Sequence, residues 1–124
     1  MSEFTDYLPD IFALLGPISM RRMFGGHALY HQGLTFGLVF EETLYLKADA
    51  ENAADFEALA LPRFGYEKQG RWIDLPYYQA PDFILEDREL AASWGRKAYA
   101  AALRTKPLKP RQRKQRTTAN PERS

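Results

Sequence analysis

The chain has 124 residues and a mass of 14.3 kDa, enough for one buried core and too few for two substantial domains. Apolar residues make up 45% and seventeen side chains are aromatic, which excludes a wholly disordered chain. The absence of cysteine excludes disulfide scaffolds, thiol nucleophiles, iron–sulfur clusters and cysteine-based zinc sites. The net charge of +1 hides an asymmetry. Residues 1–104 hold ten basic and fifteen acidic side chains, net −5, whereas residues 105–124 hold seven basic and one acidic, net +6. No apolar run approaches the roughly 18 residues of a membrane span, and the start, Met1–Asp6, is acidic and lacks a secretory signal's pattern. The expectation is a soluble cytoplasmic protein with one domain over 1–104 and a basic, disordered tail over 105–124.

The first helix is expected within Thr5–Leu15, where Phe4, just before it, and Tyr7, Leu8, Ile11, Phe12 and Leu15 follow helical spacing. Pro9 favours a start near Thr5 or Asp6, because proline fits a helix's first turn. Gly16-Pro17 stops it. Residues 18–47 read as strands: Ile18–Met23, then Ala28–His31 and Leu34–Phe40 around a Gln32-Gly33 turn, then Thr43–Lys47 after Glu41-Glu42. Gly25-Gly26 predicts a turn or bulge with positive φ. Asp49 is placed to cap a short helix over Ala50–Ala60. A hairpin follows, Phe64–Lys68 and Arg71–Tyr78 around Gln69-Gly70, with Pro76 predicting an edge strand or a strand end. The last helix begins after Asp87 and carries the stripe Leu90, Ala91, Trp94, Ala98, Ala101 and Ala102. Trp94 is expected to anchor it to the sheet, and Gly95 to permit close approach. The order is α-β-β-β-α-β-β-α, with room for one more strand: an α+β domain with helices packed on an antiparallel sheet.

Chemistry-bearing patterns are few. His27 and His31 lie four apart on a strand, about 13 Å at 3.3 Å per residue, too far to share a metal ion, and are expected on the solvent face. No serine stands in a nucleophile motif and no glycine run matches a phosphate-binding loop, so the residues point away from an enzyme, with no metal and no cofactor. Tyr77-Tyr78 and Trp72 have the chemistry of a base-stacking surface, with sheet packing as the favoured reading. Lys106, Lys109, Arg111, Arg113, Lys114 and Arg116 form a basic cluster suited to weak, non-specific contact with nucleic-acid phosphates, or simply to solubility.

The run Arg22-Met23-Phe24-Gly25-Gly26-His27-Ala28-Leu29-Tyr30 resembles the signature of the TfoX/Sxy N-terminal domain family, regulators of DNA-transformation competence. Leu44-Tyr45-Leu46-Lys47-Ala48-Asp49, then Leu75-Pro76-Tyr77-Tyr78, and then Leu90 with Trp94 continue the pattern in order over about residues 5–104. The resemblance implies a secretion-chaperone-like α+β architecture and a non-enzymatic regulatory or protein-interaction domain, with a role in transcriptional regulation and a protein partner. Met23, Phe24, Gly25, Gly26, Leu29, Tyr30, Leu46, Lys47, Pro76, Tyr77, Tyr78 and Trp94 are its motif positions, taken as structural. The competence regulators carry a second, helical domain; here only the basic tail is expected after Arg104. The alternative is a nucleic-acid-binding accessory protein acting through that tail.

Overall fold

The computed structural model describes residues 3–23 and 25–105. Along them run α1 (Glu3–Ile11), β1 (Ser19–Met23), β2 (Gly26–His31), β3 (Leu34–Phe40), β4 (Thr43–Lys47), α2 (Ala53–Glu57), β5 (Arg63–Lys68), β6 (Arg71–Gln79) and α3 (Arg88–Arg104), with a 3-10 turn at Asp82–Glu86. The fold is the expected α+β class, and the extra strand is present: four strands precede α2. All pairings are antiparallel in one sheet of order β1-β2-β3-β4-β6-β5. Among the described residues, no helix is long and apolar enough to cross a membrane.

The hairpins turn where the sequence placed them. Gln32-Gly33 and Gln69-Gly70 have φ of 49° and 84°, and of 54° and 77°, the paired positive values that match strand twist. Glu41-Glu42 makes the same kind of turn at 50° and 59° without a glycine, so two Cβ atoms sit in the left-handed region.

Four local expectations need correction. First, α1 already includes Glu3, ahead of Thr5, so Pro9 falls in its second turn, past the free N–H groups of the first, and gives no hydrogen bond there. Burial of Leu8, Ile11 and Phe12 against the core keeps the helix together. Second, α2 is shorter than Ala50–Ala60. Asp49 does not cap it but accepts from the backbone N–H of Glu51 and Asn52 in the turn before, while Asn52 Oδ1 accepts from Asp49 N–H at 2.7 Å. Third, Pro76 is not on an edge strand, since β6 lies between β4 and β5. Between the pairs Gly65–Asp74 and Arg63–Tyr78, β5 has one residue and β6 has three, Leu75, Pro76 and Tyr77. Pro76 therefore sits in a bulge, where no ladder bond is lost, and its carbonyl accepts from Ala48 N–H at 2.9 Å.

The fourth correction concerns α3. Asp87 caps it as expected, accepting from Glu89 and Leu90 N–H at 3.0 Å each. The buried stripe, however, consists of small residues: Ala91, Ala92, Gly95, Ala98, Ala101 and Ala102. Leu90 is exposed, and Trp94 is half-buried at the flank, with ring centroids 5.1 Å from Phe56 and 6.1 Å from Phe83. Trp94 thus braces α3 against α2 and the 3-10 turn and does not anchor it to the sheet. Close approach comes from Gly95, where an added Cβ would lie 3.2 Å from Phe12 and Leu15. The core between helices and sheet holds Leu8, Phe12, Leu29, Phe36, Leu46 and Phe56, all nearly inaccessible to solvent.

Candidate functional site

Side chains alternate along a strand, so the sheet has two faces. Leu29, Leu44, Leu46 and Tyr78 point to the helix-covered core. Their neighbours Ala28, Tyr30, Tyr45, Lys47 and Tyr77 point the other way. Ala28 and Leu38, opposite each other on β2 and β3, are 1% and 3% exposed yet lie outside the main core cluster. Larger residues around them supply the cover. Phe64 follows the bulge onto this face and stacks on Phe40 with centroids 5.0 Å apart, with Tyr45 4.6 Å away. Among the described residues no helix packs here.

Two cations lie over this surface. The Arg21 guanidinium is 5.5 Å from the Tyr30 ring centroid, and Lys47 Nζ is 5.1 Å from that of Tyr77. Burial pushes the Tyr77 phenol up to about 12, and the nearby Tyr30 phenol adds to the shift. Burial also raises Tyr45, with the Glu41 carboxylate as the smaller cause. Burial lowers Lys47, partly offset by Asp49. Tyr45, Lys47 and Tyr77 are all half-buried on this face.

The turn into this face depends on the diglycine. Gly25 has φ of 82°, and a Cβ on Gly26 would meet the Val39 carbonyl at 2.2 Å and the Phe40 ring at 3.0 Å. Gly25 supplies the turn and Gly26 the close approach, while Met23 pairs with Gly26 across it. Phe24 lies outside the described residues, as do Lys106, Lys109, Arg111, Arg113, Lys114 and Arg116.

The motif positions therefore divide. Tyr30, Lys47 and Tyr77 converge on the uncovered face. Leu29, Leu46 and Tyr78 belong to the core, where Tyr78 stacks on Phe56 at 5.1 Å and donates to Glu57 Oε2 at 2.8 Å. That bond to Glu57 is the main reason its phenol is raised. Trp72 stands apart from Tyr77: it is 63% exposed, covers Gly65, and donates from Nε1 to Asp74 at 2.7 Å. His31 is another correction. It is buried, with Nδ1 2.8 Å from the Pro17 carbonyl and its ring edge-on to Tyr99, because β2 turns it toward the helix side with Leu29. His27 is half-buried, and its Nε2 is enclosed with no hydrogen-bond partner among the described residues.

Arg21, Phe40, Tyr45 and Phe64 belong to the face but carried no functional signal in the sequence. Alternation gives each strand its two sides. Only the strand order and the β6 bulge bring these four together. At the end of the sheet, Arg104 donates from Nε to Asp49 Oδ2 at 2.6 Å and from a terminal nitrogen to Oδ1 at 2.9 Å. This pair holds the Asp49 carboxyl at about 2. Thr105 lines a shallow cavity of about 370 Å³ there with Ala48 and Pro76, the residues adjoining Lys47 and Tyr77 in sequence. Among the described residues no three His, Asp or Glu side chains gather as a metal site would.

The sequence pattern of the TfoX N-terminal domain matches residues 10–102. The DNA transformation protein TfoX1 of Aliivibrio fischeri (strain ATCC 700601 / ES114) is 29% identical over 84 residues, 68% of this chain. Those residues span only 40% of that relative's length.

Proposed function

We propose, since the chain belongs to the TfoX N-terminal domain family, that it is a non-enzymatic regulatory domain that acts by binding a partner across the uncovered sheet face. One observation carries this reading: half-buried tyrosines capped by Arg21 and Lys47 occupy a face that no described helix covers. Tyrosine and arginine dominate the binding energy of many interfaces, because they present large apolar area with a polar end. Two partner classes suit such a domain, a protein and a nucleic acid. The second is favoured by the charge separation between residues 1–104 and 105–124. The regulated process, by kinship with a named DNA transformation protein, is competence.

The test is genetic. Deleting the gene in its native cell should change both transcript levels and the frequency of DNA uptake. Wild-type protein should restore both, and a folded Lys47→Glu variant should not. Full restoration by that variant would remove the face from the function. An unchanged deletion strain would remove the regulatory role.

A further inference from the structure

We propose that the uncovered face binds single-stranded nucleic acid, with its tyrosines stacking on unpaired bases and its cations meeting phosphates. The proposal rests on the reading of that face as the binding surface and names its partner.

Charge is the first argument. Residues 1–104 are net acidic, yet the face carries Arg21 and Lys47 and, among the described residues, no carboxylate of its own; Glu41 and Asp49 sit at its margins in turns. The domain has placed positive charge on this side against its overall sign, which suits a polyanion. Ring geometry is the second. Tyr30 and Tyr77 lie two intervening strands apart, close enough for one phenol to influence the other, and each carries a cation over its ring. Aromatic rings on an open sheet, together with guanidinium planes, form a stacking platform that tolerates any base. Bases in a duplex are already stacked, so a single strand is the form that gains.

The test is fluorescence anisotropy of the full chain with fluorescein-labelled oligothymidine. Tyr77→Ala and Tyr30→Ala should each weaken binding at least about fivefold, the low end of one base–aromatic stack. Tyr77→Phe keeps the ring and should bind as wild type. Trp72→Ala, off the face, should leave affinity unchanged. The annealed duplex should bind more weakly than the single strand, and Tyr77→Ala should erase most of that preference. Circular dichroism of each variant identifies any that fails to fold, and Tyr30→Phe then replaces a lost Tyr30→Ala as the ring-retaining control against Tyr77→Ala. Wild-type affinity in folded Tyr30→Ala and Tyr77→Ala would overturn the proposal. Displacement by polyglutamate as effective as by unlabelled oligothymidine would also overturn it and make the partner an acidic protein. No binding at low salt would overturn it while leaving the face reading intact, because that reading is judged separately by restoration in the native cell.

Discussion

Tyr77 and Tyr78 are adjacent in sequence and have opposite fates. Tyr78 stacks on Phe56 in the core, and Tyr77 lies under Lys47 on the uncovered side. Burial holds the Tyr77 phenol at about 12 in the folded chain, above its ordinary value near 10. A phenol raised in this way contributes stability that is fully present below pH 10. That contribution is lost as pH rises toward 12, because the unfolded chain releases the proton first. An alkaline absorbance titration should therefore show late-ionising tyrosines, and Tyr77→Phe should reduce their number by one. It should also flatten the fall in stability between about pH 10 and 12. An unaltered titration would mean that Tyr77 is wetter than its packing indicates. The alternation of Leu46 with Lys47 made two faces legible from sequence. It did not place Tyr77 beside Tyr30, because the β6 bulge and the β4–β6 pairing are long-range facts. The histidines mislead for a related reason. Strand spacing sets the two rings about 13 Å apart, yet which side of β2 meets the helices depends on where α1 and α3 pack.

At the scale of elements, α3 lies on the sheet through small residues, not through its largest one. The periodicity over Ala91–Ala102 gave the helix and its cap, but hydrophobic size drew attention to Leu90 and Trp94, which flank the contact. Helices approach closely where side chains are small, so volume at the contact and anchoring do not coincide. Two substitutions separate these ideas. Gly95→Val places new atoms against Phe12 and Leu15, which a Cβ alone would already meet at 3.2 Å. Overpacking there should cost about 1–3 kcal/mol, beyond any gain in helix propensity. Trp94→Ala removes half-buried contacts with Phe56 and Phe83. It should cost less than the about 3 kcal/mol that marks a fully buried tryptophan. Urea unfolding measures both, with an unchanged m-value showing that the denatured state is the same. A loss in the range of about 3–5 kcal/mol for Trp94→Ala would restore it as the anchor. A neutral Gly95→Val would mean that α3 can lift from Phe12 and Leu15 at little cost.

The whole molecule joins an acidic domain to a strongly basic C-terminal sequence, and this imbalance is the property most directly legible from residues alone. It makes a prediction that separates the two sources of positive charge. If the basic groups beyond Thr105 contact six or seven duplex phosphates, log K should fall against log[salt] with a slope of about −6. Raising salt from roughly 50 to 200 mM would then weaken duplex binding on the order of a thousandfold. Removing residues 106–124 should abolish duplex binding, because what remains carries a net negative charge and repels phosphate. The fold should persist, since the core cluster runs from Leu8 to Ala98, and Thr105, whose hydroxyl donates to the Ala101 carbonyl at 2.9 Å, remains as the cap of α3. The face predicts a remainder. Truncated protein should still bind a single strand weakly, with a shallow slope of about −1 to −2, because Lys47 and Arg21 are then the phosphate contacts and stacking is insensitive to salt. Anisotropy with both probes across a salt series distinguishes the outcomes. Duplex affinity that survives truncation would place the polyanion site within the folded domain. Complete loss of single-strand binding would assign all of it to the basic sequence and leave the tyrosine face to a protein.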